Sequence, residues 1–159
     1  MSYCLDQRVI HCRNGVSTIV GTTKMGDRDY FIIHALRGDK ENIYVPVIGA
    51  ENIIRPVMDA DVADKLLKEL KKIELEFNTN TKQRRDAYKK RLSSGKVEDI
   101  AYLFRQYCLY NEFPDRVKLG PTDIEMLSYA SNIFLDELSL TYNVERDKIE
   151  EIVKKKIAN

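Results

Sequence analysis

The amino-acid sequence predicts an α+β protein, a small twisted β-barrel followed by an all-helical segment, and three observations carry the prediction. Apolar residues alternate up to about residue 57 and recur about every 3.6 residues after it. Turn signals at Asn14-Gly15, Gly26-Asp27 and Gly38-Asp39 cut the first part into short segments. The chain has 159 residues, of which 43% are hydrophobic. That is enough for one domain or two small ones with a real core.

Arg8 to Cys12 is apolar and β-branched, and Val16 to Thr23 alternates small polar and branched residues, so each reads as a strand. Tyr30-Phe31-Ile32-Ile33-His34-Ala35-Leu36 is a strong strand signal. Ile43-Tyr44-Val45-Pro46-Val47 is another, and its proline cannot donate to a ladder, which argues for an edge or a bulge. Asn52-Ile53-Ile54-Arg55 closes the set. About five short strands are too few for a sandwich, and a small barrel is the expected closure.

Beyond Pro56, Val62, Leu66, Leu70 and Ile73 form an apolar helical stripe with Asp59 or Asp61 as N-cap candidates. Glu76 to Thr81 is a polar break. Helices are expected from about Lys82 to Leu92, ending at Ser93-Ser94-Gly95, and from Val97 through Cys108. After Pro114 and Gly120-Pro121, Thr122-x-x-Glu125 reads as a capping box opening a long helix through Leu138. A last helix is expected over 144–157, capped by Asn143. The boundaries are thus 1–57 for the β domain and 58–159 for the helical one.

Lys and Arg total 26 against 25 Asp and Glu, so the formal net charge is +1. Balanced charge excludes a disordered tail and a globally basic nucleic-acid packer, so any electrostatic partner has to be met by a local patch. No apolar run approaches the roughly 18 residues of a membrane span, and Met1 to Arg8 lacks the apolar region of a signal peptide. A cytoplasmic protein is expected. The three cysteines, Cys4, Cys12 and Cys108, form no Cys-x-x-Cys pair and suit reduced thiols better than a disulfide framework or a zinc site.

Catalytic motifs are missing from the sequence. There is no Walker loop, Gly-x-Gly-x-x-Gly, Gly-x-Ser-x-Gly or His-Glu-x-x-His. His11 and Cys12 are adjacent, but neighbours on a strand point to opposite faces and cannot share a proton. Glu74 and Glu76 read as a solvated acidic pair. The chain is therefore not expected to be an enzyme or to hold a cofactor or metal.

The strongest local signal is electrostatic. Lys82, Arg84, Arg85, Lys89, Lys90, Arg91 and Lys96 stand against one acid, Asp86, an excess of +6 that leaves about −5 for the rest of the chain. On a helix Lys82, Arg85 and Lys89 share one face, with Arg84 and Arg91 near another. Phosphates are the natural ligand, and backbone contact is expected to dominate over sequence readout. Glu98, Asp99, Glu145, Glu150 and Glu151 are acids that could instead pair these cations. A second signal is the Tyr44-Val45-Pro46 strand, which as a sheet edge could accept an added strand or, through its proline, prevent one.

Four stretches together resemble the CarD/CdnL family of bacterial transcription regulators. Arg8-Val9-Ile10-His11-Cys12-Arg13-Asn14-Gly15 resembles its early strand and His-Gly turn. Tyr30-Phe31-Ile32-Ile33 and Ile43-Tyr44-Val45-Pro46 resemble its third and valine-proline strands. Leu92-Ser93-Ser94-Gly95-Lys96-Val97, Met126-Leu127 and Glu137-Leu138-Ser139-Leu140 resemble elements of its helical domain.

The resemblance implies a Tudor-like barrel that binds the RNA polymerase β subunit by extending a sheet, with Ile43, Tyr44, Val45 and Pro46 on the contacting strand and Thr23 and Lys24 in the neighbouring hairpin. It implies a helical domain that meets promoter DNA at the upstream fork and stabilises the open complex. The protein would act as a monomer, away from membranes and with the nucleoid. Relatives carry a tryptophan wedge just before the basic helix; here the matching position is Thr81 and the chain has no Trp. Phe77 or Tyr88 would have to substitute. Tyr44 stands where some relatives carry arginine. Tyr107-Cys108-Leu109-Tyr110 replaces an arginine-rich helix end, and Ile124 or Glu125 a basic residue. DNA contact is then expected from Thr81, Lys82, Arg84, Arg85, Lys89, Lys90, Arg91 and Lys96. The alternative is a protein-interaction adaptor that has lost the DNA wedge.

Overall fold

The computed structural model of the protein describes residues 3–73 and 76–158. The Glu74 half of the Glu74/Glu76 pair lies outside the described residues. Five strands come first, β1 (Arg8–His11), β2 (Gly15–Met25), β3 (Arg28–Ala35), β4 (Ile43–Pro46) and β5 (Ile54–Pro56), with a 3-10 turn at Ala50–Asn52 before the last. Five helices follow: α1 (Ala60–Lys72), α2 (Thr81–Ser94), α3 (Val97–Glu112), α4 (Pro121–Tyr142) and α5 (Arg146–Ile157). The layout is α+β. The chain divides into two compact units, Met1–Val57 and Met58–Asn159.

All strand pairings are antiparallel, in the order β4-β3-β2-β1-β5. The ladders among the described residues do not join β4 to β5, so the sheet is open where sequence reasoning expected a closed barrel. A register shift between Ile19 and Gly21 bends β2, the local twist that lets five short strands wrap one small core. That core is Val9, Ile19, Phe31, Ile33, Val45, Ala50 and Ile54. Alternation explains it: Phe31 pairs with Val45 and Ile33 with Ile43 on the inner face, and Ile32 pairs with Tyr44 on the outer one.

The helical unit buries a larger core around Phe104 and Phe134, whose ring centroids lie 5.0 Å apart. Leu66, Leu67 and Leu70 bring in α1, Leu127, Leu135 and Leu138 line α4, and Ile149, Val153 and Ile157 fasten α5. Fully burying each such side chain contributes about 1.5–3 kcal/mol. Asp59 caps α1, its carboxylate accepting from Val62 N–H at 2.9 Å.

Two caps differ from the sequence expectation. Helix α4 starts at Pro121 with Gly120 as N-cap, not at a Thr122 to Glu125 box. Proline at the first helical position favours that start because its missing N–H would have had no partner there, and Asp123 carboxylate then accepts the Gly120 N–H at 3.3 Å. Asn143 ends α4 in the left-handed conformation, φ 53°, instead of opening α5, which begins after Glu145. A short polar side chain tolerates that backbone well. No described helix is long and apolar enough to cross a membrane.

Candidate functional site

Helix α2 forms because Asn80 caps it, accepting from Gln83 N–H at 3.0 Å, and stops because Gly95 adopts φ 69°. Its six basic residues, with Lys96 just beyond as the seventh of the cluster, separate into two groups. Arg84 is only 3% exposed. Its Nη2 and Nε donate to one oxygen of Asp123 at 2.7 and 3.2 Å, and its Nη1 donates to the Asn78 carbonyl at 2.9 Å. Asp123 is completely buried at the start of α4. Arg84 therefore joins two helices, and its burial keeps it from the surface a ligand would meet, which corrects its assignment as a DNA-contacting residue.

Arg91 is also engaged. It pairs with Asp99 at 2.8 Å and its guanidinium lies 3.7 Å from the centre of the Tyr102 ring. Asp99 additionally accepts from Ser94 hydroxyl at 2.6 Å, which closes the turn between α2 and α3. Of the acids that could have neutralised the cluster, Asp99 does so for Arg91, whereas Glu150 pairs with Arg146 and Lys154. Burial opposes ionisation of Glu150, and those two cations outweigh it and hold its carboxyl below the usual range.

Lys82, Lys89, Lys90 and Lys96 are exposed, and none makes an ion pair among the described residues. Arg85 is intermediate. Its side chain is 40% exposed, and its Nε sits 3.9 Å from the second Asp123 oxygen. The outer face of α2 thus carries Lys82, Arg85 and Lys89 in a row with Lys90 beside them, and Asp86 is the one acid of the helix. Arg84 and Arg91 do fall on the other side, as the helical spacing implied.

The aromatic residues near this face are mostly enclosed. Tyr88 is 4% exposed and its hydroxyl donates to Gln106; burial raises its pKa far above that of a free tyrosine. It cannot project as a wedge. Phe77 packs against the helical core. Thr81 is exposed at the first turn of α2. Phe113, which sequence reasoning passed over, is 40% exposed just past α3.

In the sheet unit, β4 is an edge strand with β3 on one side only. Val45 is fully buried and Ile43 packs on the core, so both can offer only their main chain outward. Tyr44 is 45% exposed. Asn42 bridges its hydroxyl, at 3.4 Å, to His34 Nε2, at 2.8 Å. Thr23 pairs with Tyr30 and Tyr30 with Pro46, which aligns Thr23, Pro46 and Tyr44 on the outer face. Lys24, opposite Asp29, belongs to the other face.

His11 is buried, its Nδ1 accepting the N–H groups of Arg13 and Asn14 at 3.1 and 3.2 Å. Burial first, and then the Arg13 charge, lower its pKa. The imidazole is a turn-former. Among the described residues no group of three or more His, Cys, Asp or Glu could hold a metal ion.

Each unit thus presents its own surface: the first an open β edge with an outer row of side chains, the second a basic helical face backed by a buried ion pair. The family model described as CarD, C-terminal domain matches residues 65–154. That span is more than half of the chain, runs from α1 into α5, and contains the whole of α2. On this match the chain belongs to the CarD/CdnL family of transcription regulators.

Proposed function

We propose that the protein docks on the RNA polymerase β subunit through the β4 edge of its Tudor-like N-terminal unit and sets the outer face of α2 against promoter DNA at the upstream fork, stabilising the open complex. The observation that carries the DNA half is the exposed set Lys82, Lys89 and Lys90, with the half-exposed Arg85 between them, within the family-matched span. The three lysines can release counterions from phosphates without first breaking an internal salt bridge, whereas Arg85 is shared with Asp123. The polymerase half rests on an edge strand whose outer main-chain groups are open to an added strand. Opening is favoured only if this face binds the open promoter better than the closed one. The protein would work in the cytoplasm, at the nucleoid, as a monomer.

Two titrations test the reading. Lys82→Ala, Lys89→Ala and Lys90→Ala together should lower affinity for promoter DNA and flatten its dependence on salt by about three unit contacts; an unchanged slope removes α2 from the interface. Tyr44→Ala with Pro46→Ala should weaken capture of the polymerase β lobe, and full retention would reject β4 as the docking strand. The adaptor reading draws on the engagement of Arg84 and Arg91 inside the fold. It predicts polymerase binding with no salt-dependent affinity for forked DNA.

A further inference from the structure

Outside α2, the helical unit also gathers lysines where α1 packs on α5. Asp64, Leu67, Lys68 and Lys71 from α1 and Lys156 from α5 line an open recess of about 390 Å³, a size within the roughly 300–1,000 Å³ of small-ligand sites. Asp64, Lys68 and Lys71 share one face of α1 because they stand four and seven residues apart. Leu67 is 2% exposed and gives the recess an apolar floor. Lys156 comes in from the last turn of α5.

The charges that line the recess differ in their freedom. Asp64 Oδ1 accepts from the Tyr142 hydroxyl at 2.5 Å and lies 3.9 Å from Lys156 Nζ. The same ammonium stands 4.9 Å from the centre of the Tyr142 ring, so ring and carboxylate hold it from two sides. Burial first, and then the hydrogen bond and charge of Asp64, raise the Tyr142 pKa well above its ordinary value and keep the hydroxyl a donor. The carboxylate of the lining is thus already engaged. Lys68 and Lys71 are exposed, and neither makes an ion pair among the described residues. Three ammoniums face one carboxylate, an excess of +2.

Lysines in the last turn of a helix complement its dipole, which accounts for Lys71 and for Lys156 taken singly. It does not account for Lys68, or for three ammoniums around one concave surface. An ammonium binds phosphoryl oxygens as a point charge and needs no fixed fork. Lys68 and Lys71 lie about one turn apart on α1 and Lys156 belongs to the other helix, a spread that suits two joined phosphoryl groups better than one. We propose that this recess binds a diphosphate group, with Lys68 and Lys71 taking its oxygens from α1 and Lys156, held by Tyr142 and Asp64, from α5. The site is distinct from the promoter contact and does not rest on it.

Calorimetric titration of the full-length protein with pyrophosphate at fixed ionic strength tests the site, with ADP titrated alongside because a nucleotide offers the same diphosphate. The wild type should bind one equivalent. Lys68→Ala, Lys71→Ala and Lys156→Ala together should weaken binding at least about tenfold, since three charge-assisted contacts go at once. Lys68→Glu reverses one exposed charge and should weaken it without disturbing the fold. The α2 variant Lys82→Ala, Lys89→Ala and Lys90→Ala should bind as the wild type does. Equal affinity for the two ligands marks a free diphosphate and tighter ADP binding marks a nucleotide; both uphold the site. No saturable binding in the wild type, undiminished binding in Lys68→Glu, or equal weakening in the α2 variant overturns it.

Discussion

The sheet unit and the helical unit bury polar groups in opposite ways. In the sheet, buried His11 and Ser17 are satisfied within three residues, by Arg13 and Asn14 N–H groups and by the Gly15 carbonyl. In the helical unit Arg84 finds Asp123 39 positions away, Tyr88 finds Gln106 at 18, and Glu137 accepts from Met58 N–H at 79. Local partners shape turns; distant ones decide how helices meet. The difference teaches that these buried polar groups of the sheet are satisfied by their chain neighbours, whereas a charge counted in a helix can be withdrawn into the fold by a residue far along the chain.

The largest test of that contrast is Asp123→Ala. Arg84 would remain buried without its carboxylate, Gly120 N–H would lose an acceptor, and the helical unit should lose about 3–5 kcal/mol. The midpoint of urea denaturation measures it. Arg84→Met with Asp123→Leu should cost far less than either change alone, because no charge is left stranded. A single-variant loss under about 1 kcal/mol would mean the pair is solvated and the contrast between the units false.

The same contrast explains what could be read in advance. Strands were legible because alternation is a local pattern: Phe31, Ile33 and Val45 face inward as their spacing requires. The edge character of β4 was readable from Pro46. Helical periodicity put Arg84 and Arg91 away from Lys82 and Lys89, but spacing says which residues share a face and not whether a neighbour covers it. Asp123 and Tyr102 settle that, and no pattern within α2 names them. Ladder closure depends on strand twist, and the exposure of Phe113 on packing around it, so neither was available from composition. The start of α4 shows two local rules in competition, where proline at the first helical position prevailed over a Thr-to-Glu box.

Gln106→Leu sharpens the comparison at a smaller scale. Gln106 accepts from Tyr88 hydroxyl and donates to the Glu76 carbonyl at 3.1 Å. Leucine preserves much of the volume and strands both groups, a cost of about 1–3 kcal/mol. Gln106→Glu should recover part of the loss, since its carboxylate still accepts from Tyr88. Equal midpoints for the two variants would show that packing alone holds α2 on α3.

The smallest effect belongs to the sheet and depends on pH. His11 must stay neutral to accept two N–H groups at Nδ1, and burial with the Arg13 charge lowers its pKa below the ordinary 6.5. The unfolded chain then takes up the proton first, so it binds more protons than the native state as pH falls through 6.5. Stability of the sheet unit should therefore be full above that pH and decline from about 6.5 toward 5, where carboxylates begin to contribute. His11→Asn supplies a non-titrating acceptor and should flatten the decline over that window in urea midpoints taken at matched ionic strength. An identical slope in the variant would show that the His11 turn is not what couples the sheet to pH.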